Sequence, residues 1–418
     1  MRTVRIVFGF CVLLLAMIGL LVLASAGEHK DVYYVTRQGG YLAGALVVGF
    51  AAAKFDYRRL AASKWMMPAA YCITMCLLVA VLATKGAKGS KRWLNFGAVN
   101  FQPGELAKFM AVMLTAWWAV VREKWRVRPP ADAQGKMTRK RRVWRFFLEF
   151  MDGYLPLGFM LGAMAALILL EPDFGTTFLV MAGAGLIMFV DGQKWRYIFC
   201  VWLPLALLVV AIMWLNPNRH RRMAAFGSLG AQAQNTETSQ KNKDGNAQII
   251  NSIVAFSNAA CDTSLTPFWD PGHYHRWWNA LTGVGYMKSM QKHTYLPEHH
   301  TDFIFAIGAE ELGFMFSGGM FLLFTIFYGC CLAICRMTKD RFGMYIVFGL
   351  GFMVYFQALC NMGVVSGVLP PKGLALPFVS YGGTHILITG LEVGMIFSVS
   401  LRNSLQNGRR KSRILQFA

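Results

Sequence analysis

Long runs of apolar residues, separated by polar connections, recur along the whole chain. A helix that crosses a bilayer needs about 20 mainly apolar residues, and several of the runs reach that length. The pattern therefore predicts an all-α polytopic membrane protein that forms a single transmembrane domain over residues 1–418. About ten transmembrane helices are expected, at residues 6–26, 38–53, 65–84, 106–121, 153–170, 174–190, 195–215, 303–334, 343–362 and 384–401.

One connection is much longer than the others, at residues 216–301, between the seventh and eighth predicted helices. Its segment 227–245 is polar and poor in apolar residues, a composition typical of disordered chain. An aromatic-rich stretch follows at residues 268–278. We expect a long outer loop, whose aromatic stretch packs on the membrane surface or on a partner protein.

The composition argues against a soluble protein. Hydrophobic residues make up 56% of the chain and charged residues 15%, with a mean hydropathy of +0.41. Soluble chains usually contain about 45–50% apolar and about 25% charged residues. A disordered chain, a secreted disulfide-rich protein and a soluble nucleic-acid binder all fit these values poorly.

The charge balance is strongly basic, with 42 Lys and Arg against 21 Asp and Glu and a net charge of +21. In a soluble protein this excess would suggest a nucleic-acid partner. Here most basic residues fall in alternate connections, above all in the connection 122–145, as the positive-inside rule requires of cytoplasmic segments. The sequence thus predicts a multi-pass protein of the cytoplasmic (inner) membrane, with both termini cytoplasmic and no nucleic-acid partner.

The first apolar run has an alternative interpretation. Arg2 and Arg5, the apolar run and Ala24-Ser25-Ala26 are together typical of a cleaved signal peptide. The run from Ile6 to Ala26 is longer than the usual core of about 7–15 residues, and further predicted spans follow it. This favours a retained first helix, with cleavage as the alternative.

A second group of basic residues lies on the outer side, where positive charge is normally depleted. Its members are Lys85, Lys88, Lys91 and Arg92 in the third connection, and Lys108 follows in the next helix. Because Arg and Lys pair with phosphate oxygens, we expect this short basic loop to bind a lipid headgroup or pyrophosphate. The alternative is an interfacial anchor, in which a Trp and snorkelling basic side chains meet the headgroups.

Two outer carboxylates stand at the starts of predicted helices. Asp173 precedes the sixth helix, where it either caps that helix or contacts substrate. Asp302, after Glu298 and His300, precedes the eighth helix at the membrane boundary. A partly desolvated carboxylate there can serve as a general base, and capping of the eighth helix is the alternative.

The last outer connection, residues 361–383, is rich in Gly, Pro and Ser and contains Lys372 and Ser380. Irregular backbone at membrane depth is tolerated only where it is buried in protein or lines a wet cavity. Glu310 and Glu311 lie deeper, where charged residues are either functional or paired with a partner. Together, these features predict a polar cavity that opens to the outer face.

Several of these motifs resemble those of the SEDS family (shape, elongation, division and sporulation), which includes FtsW and RodA. The similarity covers most of the chain. Its most specific parts are Leu296-Pro297-Glu298-x-His300-Thr301-Asp302, Glu310-Glu311-Leu312-Gly313 and Ser380-Tyr381-Gly382-Gly383. Supporting matches are Arg92-Trp93, Gln102-Pro103-x-Glu105, Lys108 and Pro172-Asp173-x-Gly175-Thr176.

The resemblance implies a peptidoglycan glycosyltransferase that polymerises lipid II at the outer face of the membrane. It assigns the essential aspartate of the family to Asp302, as the general base that deprotonates the acceptor hydroxyl. The leaving pyrophosphate would be stabilised by Lys91, Arg92, Lys108 or a divalent cation, Mg²⁺ or Mn²⁺. The partners implied are a class B penicillin-binding protein, an FtsI-like transpeptidase, and the proteins of the division complex.

The remaining candidates follow from the same comparison of motifs. It places Gln102, Glu105, Asp173, Glu298, His300, Lys372 and Ser380 among the substrate-binding residues, and it assigns no metal ligands. Pro371-Lys372-Gly373 resembles the division branch, FtsW, more than the elongation branch, RodA. The chain departs from the usual pattern at Gly104, at Thr384-His385 and in its long loop, where residues 227–282 look like an insertion.

Two other functions remain open. A flippase for the lipid-linked precursor would place charges along a path through the membrane, as Lys108, Glu310, Glu311 and Glu392 allow. A non-catalytic scaffold of the cell-wall machinery would not need Asp302. The concentration of motif residues at the outer edge favours the enzyme.

Overall fold

A computed structural model describes residues 1–26, 31–84, 92–95, 97, 100–125, 155–193, 280–289, 300–370 and 372–416, with isolated residues between 196 and 255. The helices are α1 (Arg2–Ala26), α2 (Asp31–Lys54), α3 (Arg58–Ala62), α4 (Met66–Leu82), α5 (Pro103–Trp125), α6 (Leu155–Leu170), α7 (Phe174–Val190), α8 (Ile304–Met337), α9 (Arg341–Val365) and α10 (Gly383–Gln416). The strands β1 (Leu94–Asn95) and β2 (Asn100–Phe101) lie between α4 and α5.

The helices lie where the apolar runs predict them. Helix α7 has the predicted bounds, because Asp173 and Asp191 mark its two ends. Helix α2 begins seven residues before the predicted span 38–53, because its first turns are polar and aromatic. The predicted span 195–215 and the predicted loop 216–301 lie largely outside the described residues.

Within the described part of the chain, five helices are long and apolar enough to cross a membrane, namely α1, α5, α8, α9 and α10. Helices α4, α6 and α7 are apolar but shorter. On α1, Ile6, Phe10 and Met17 are largely exposed, as expected for side chains that meet lipid. The chain is an all-α polytopic membrane protein, as predicted, with one small exception in the pair β1–β2.

That pair is antiparallel, with Leu94 opposite Phe101 and Asn95 opposite Asn100. Two residues per strand are too few for an alternating pattern to be recognised in the sequence. The pair directly precedes α5 and follows Arg92, so it joins two of the predicted outer-side segments.

By its internal contacts the chain divides into two compact units. Unit 1 contains residues 1–51, 212–333 and 354–393, and unit 2 contains residues 52–211, 334–353 and 394–418.

The core of unit 1 includes a cluster of aromatic rings. The ring centroid of Phe8 lies 5.0 Å from that of Phe327, which lies 6.0 Å from that of Phe378. All three side chains are buried. This cluster joins α1, α8 and the segment that precedes α10.

Helix α5 forms the centre of unit 2. It packs against α4, α6 and α7, and Ala107, Ala111 and Leu114 on it are fully buried. Small residues let neighbouring helices approach closely, which is the usual packing of membrane helices. The polar residues at the start of α5 are therefore held on a rigid element.

Candidate active site

Asp302 lies in a turn directly before α8 and is partly exposed. The side-chain amide of Asn361, on α9, donates hydrogen bonds to the main-chain oxygen of Asp302 at 2.8 Å and to that of Leu374 at 2.6 Å. Gly373 lies on the carboxylate side, where a Cβ atom on it would stand 2.8 Å from Asp302 Oδ2. Asp302 is thus held by the last outer connection, with its side chain within reach of a ligand.

His300 lies beside Asp302 in sequence and is tied to the same connection. The amide of Tyr381 donates a hydrogen bond to the main-chain oxygen of His300 at 3.1 Å. The ring of Tyr34, on α2, lies 4.8 Å from that of His300 and 5.2 Å from that of Tyr381. The structure therefore brings His300 and Asp302 together with aromatic residues that the sequence did not assign.

Ser380 stabilises the segment before α10 through its hydrogen bonds. It is fully buried, and its hydroxyl accepts a hydrogen bond from the amide of Leu376 at 2.7 Å. Its main-chain oxygen accepts one from Nε2 of Gln38 at 3.1 Å. Ser380 thus fixes the turn before α10 and joins it to α2. Lys372, also predicted to bind substrate, is partly exposed and adjoins Gly373.

Glu310 and Glu311 are buried in α8, where the helix is interrupted at Gly313 (φ 64°, ψ −153°). The hydroxyl of Ser289 donates to Glu310, and the main-chain amide of Ser289 donates to Glu311 at 3.2 Å. Ser25, on α1, donates to Glu311 at 2.5 Å. The two glutamates thus join the segment before α8 to α8 and α1.

Arg92 belongs to unit 2, where it binds main-chain carbonyls. Its Nε donates to the oxygen of Glu171 at 3.2 Å, and one terminal nitrogen donates to that of Pro172. The contacts hold the guanidinium at the turn between α6 and α7. A guanidinium has five N–H donors, so two carbonyls leave donors for a further ligand.

Asp173 is the N-cap of α7, which confirms the capping hypothesis. Its Oδ1 accepts from the amide of Thr176 at 3.1 Å, and its Oδ2 accepts from the Thr176 hydroxyl at 2.9 Å. The side-chain amide of Gln102 donates to Oδ2 at 3.3 Å. Gln102 and Asp173 are thus brought together beside Arg92. Whether they also contact substrate stays a prediction.

Lys108 is paired with Glu105. Its ammonium lies 2.8 Å from Glu105 Oε2, one turn away on α5, and the Lys108 side chain is only 2% exposed. The carboxylate offsets the charge that was predicted to bind pyrophosphate. Gly104, where the family usually has Ser, leaves room for a side chain: a Cβ atom would lie 3.5 Å from the nearest atom, of Thr176.

Glu171, directly before the Pro172-Asp173 motif, was not among the residues predicted from the sequence. It is 1% exposed, and neither carboxylate oxygen has a hydrogen-bond partner in the described part of the chain. Burial, and then the nearby Asp173, raise the pKa of Glu171 to about 8, while Arg92 lowers it. A carboxyl group that is largely protonated near neutral pH therefore lies in the turn that holds Arg92.

The predicted residues fall into two groups, each described within its own unit. Unit 1 brings together Asp302, His300 and Ser380, with Lys372 on the same connection, and unit 2 brings together Arg92, Gln102, Asp173 and the Glu105–Lys108 pair. Lys91 and Glu298 lie outside the described residues.

The family model FTSW_RODA_SPOVE, described as cell cycle protein, matches residues 5–260 and 280–405. The chain belongs to this family. The resemblance to the SEDS proteins is thus confirmed.

Curated relatives in the FtsW branch match nearly the whole chain. The probable peptidoglycan glycosyltransferase FtsW of Geobacter metallireducens is 32% identical over 388 residues, covering 91% of this chain and 88% of that protein. The protein of the same name from Nitrosomonas europaea is 28% identical over 411 residues, covering 94% of this chain and 92% of that protein. The predicted similarity to FtsW is confirmed.

The fold of this FtsW/RodA family member is also found among solved structures. One chain, from a study of the structural coordination of polymerization and crosslinking by a peptidoglycan synthase complex, aligns with a TM-score of 0.66 at 24% identity. The alignment covers 95% of this chain and 97% of that chain. This similarity supports the fold predicted from the apolar runs.

Proposed function

We propose that this chain is a peptidoglycan glycosyltransferase that polymerises lipid II into glycan strands at the outer face of the cytoplasmic membrane, during cell division. Its curated relatives carry that activity in their names, at 28% to 32% identity over nearly the whole chain. The observation that carries the proposal is the carboxylate of Asp302, partly exposed at a helix start and held by Asn361 and Gly373.

In the reaction, Asp302 takes the proton from a sugar hydroxyl of the acceptor. The hydroxyl oxygen attacks the anomeric carbon of the donor and forms the new glycosidic bond. The bond between that carbon and the pyrophosphate oxygen breaks, and undecaprenyl pyrophosphate leaves with the electron pair. The proton is then released from Asp302 to water, which restores the base.

The leaving pyrophosphate needs positive charge but no strong acid. Arg92 is suited to this task because its guanidinium is already oriented by two carbonyls and keeps further donors. Lys108 is less suited, since Glu105 offsets its charge inside the protein. A role for Lys91, the sequence neighbour of Arg92, stays a prediction.

A divalent cation, Mg²⁺ or Mn²⁺, would supply additional charge for the pyrophosphate. Within the part of the chain that the structure describes, no three His, Cys, Asp or Glu side chains are grouped so as to hold a metal ion. The described side chains therefore do not fit a resident metal, and no step of the mechanism is assigned to one.

A class B penicillin-binding protein, an FtsI-like transpeptidase, is the partner that we propose, together with other proteins of the division complex. Support comes from the solved relative, which belongs to a complex that coordinates polymerization and crosslinking. The basic connections predict that both termini are cytoplasmic and that Asp302 faces outward.

The test is polymerisation of labelled lipid II by the purified protein with its class B partner. Wild type should make glycan strands, whereas Asp302→Ala and Asp302→Asn should make none and retain the wild-type unfolding temperature. Equal product from wild type and from both variants would exclude Asp302 as the base. If wild type makes no strands but moves fluorescent lipid II across liposomes, the chain is a flippase and not a polymerase.

A further inference from the structure

The start of α2 carries a cluster of tyrosines around one arginine. The guanidinium carbon of Arg37 lies 4.9 Å from the ring centroid of Tyr33, and the phenols of Tyr381 and Tyr33 raise the pKa of Arg37. The Tyr34 ring packs against Tyr33 at 5.6 Å and against Tyr381 at 5.2 Å. His300 completes this cluster, with its ring 5.9 Å from that of Tyr381.

Arg37 keeps a positive charge that the described residues do not offset. Its side chain is exposed, and the described groups that act on its charge are the phenols of Tyr33, Tyr41 and Tyr381, with no carboxylate among them. Burial raises the pKa of Tyr381, so that its hydroxyl stays protonated at neutral pH. The tyrosines therefore orient the guanidinium without neutralising it, which leaves its charge for an anion.

The cluster is physically connected to the proposed base. Arg37 lies over the ring of Tyr33, which packs on Tyr34, and Tyr34 packs on Tyr381. The amide of Tyr381 donates to the main-chain oxygen of His300, which is two residues from Asp302. All of these residues belong to unit 1. A ligand that binds Arg37 can thus extend along the aromatic rings towards Asp302.

The chemistry of lipid II identifies which substrate fits this position. Donor and acceptor each carry a lipid pyrophosphate, so a polymerase needs two anion sites. In the acceptor, a disaccharide lies between the reactive hydroxyl and the pyrophosphate. The cation that binds this pyrophosphate must therefore be separated from the base by the length of the disaccharide. The rings of Tyr33, Tyr34 and Tyr381 connect Arg37 to the turn that holds His300 and Asp302. Tyrosine rings, apolar with a polar end, suit a sugar along this path.

We propose that Arg37, with Tyr33, Tyr34, Tyr381 and His300, forms the acceptor subsite, in which Arg37 binds the acceptor pyrophosphate and the rings line the path of its disaccharide. This inference rests on the proposed glycosyltransferase activity.

The kinetic test uses a lipid-linked oligosaccharide as donor and lipid II as acceptor, with each concentration varied separately. Arg37→Gln should raise the KM for the acceptor about 10- to 100-fold, the loss expected for a charge-assisted contact, with kcat within about twofold. Arg37→Lys should have an acceptor KM between those of wild type and Arg37→Gln, since it keeps the charge but loses the planar donors. Arg59→Gln, which removes an exposed charge on α3, is the matched control and should behave as wild type.

A binding measurement gives an independent readout. Lipid II is titrated into nanodiscs with Asp302→Asn, alone or combined with Arg37→Gln, and inorganic pyrophosphate is used as competitor. The Arg37 change should weaken lipid II binding by a similar factor, in discs of phosphatidylcholine and of phosphatidylglycerol alike. An effect restricted to phosphatidylglycerol would instead make Arg37 a headgroup anchor and overturn the subsite.

Failure of the subsite and failure of the activity give different results. An active wild type with an unchanged acceptor KM in Arg37→Gln, or with an equal rise in the donor KM, would overturn the subsite alone. A wild type that makes no polymer would overturn the activity, and the subsite with it, even if lipid II binding still depended on Arg37.

Discussion

Oδ2 of Asp302 lies so close to the backbone of Gly373 that a Cβ atom there would stand 2.8 Å from it. Asn361 holds the main chain of both segments, through the carbonyls of Asp302 and Leu374. The proposed base is therefore positioned by the last outer connection as well as by its own helix. A residue without a side chain is what such a close approach requires.

Gly373→Ala should reduce activity with little effect on stability. The Asp302 carboxylate is the end of a flexible side chain and can rotate away from the new methyl group, so the fold tolerates the change while the base is displaced. A displacement of about 1 Å can cost on the order of 100-fold in rate, and we expect kcat to fall at least about tenfold. Polymerisation rate and unfolding temperature measure the two effects.

The control for this change is Gly329→Ala on α8, where a Cβ atom would meet nothing within 4 Å. It should leave both the rate and the unfolding temperature unchanged. A Gly373→Ala variant with wild-type kcat would show that the close contact has no role in the reaction.

Two helices show which features of the fold can be predicted from the sequence. Helix α7 was predicted to the residue because polar residues flank a purely apolar run. The interruption of α8 at Gly313 was not predicted, because Gly313 lies inside the predicted span 303–334 and Gly is common in transmembrane helices. The conformation of Gly313 depends on residues 281–283, which are distant in sequence and pack against it.

The interruption of α8 predicts a large effect at Gly313. Its φ of 64° and ψ of −153° are adopted almost only by Gly, and a Cβ atom there would lie 2.6 Å from the carbonyl oxygen of Leu281. Gly313→Ala should destabilise the protein by about 2 kcal/mol or more, measured by the unfolding temperature in detergent. Gly319→Ala, in an open part of the same helix, should not. Equal unfolding temperatures of Gly313→Ala and Gly319→Ala would contradict the interruption of α8 at Gly313.

The sequence identified the chemical type of the site residues better than their partners. Asp302 and His300 were placed together because they are near in sequence. Arg37 was missed because it lies just before an apolar run, and the rings of Tyr381 and His300 reach its cluster at Tyr34 only through folding. Lys108 was assigned to phosphate, although the spacing of Glu105 and Lys108 on a helix allows the pair that the structure contains.

The Glu105–Lys108 pair predicts a double-mutant cycle. Glu105→Gln leaves a buried ammonium without its carboxylate and should cost about 3 to 5 kcal/mol of unfolding free energy. Lys108→Met leaves the carboxylate and should cost a similar amount, while the double variant should recover most of the loss because neither charge remains. If the double variant also polymerises lipid II normally, Lys108 is structural. If it is stable but inactive, the prediction that Lys108 binds pyrophosphate is restored.

Glu171 predicts a specific dependence of stability on pH. Its pKa of about 8 in the folded protein lies above its value of 4.5 in the unfolded chain, so the folded state holds a proton that the unfolded state loses. The contribution of the group to stability is complete below pH 4.5, declines as pH rises, and is lost near pH 8. Glu171→Gln, which resembles the protonated form, should therefore unfold at the same temperature as wild type at pH 5 and at a higher temperature at pH 8. Asp56→Asn, an exchange in unit 2 away from this turn, should differ from wild type in unfolding temperature by the same amount at pH 5 and at pH 8. A Glu171→Gln variant that is less stable than wild type at pH 8 would mean that the ionised carboxylate is stabilised in the fold, with Arg92 as the cation that lowers its pKa.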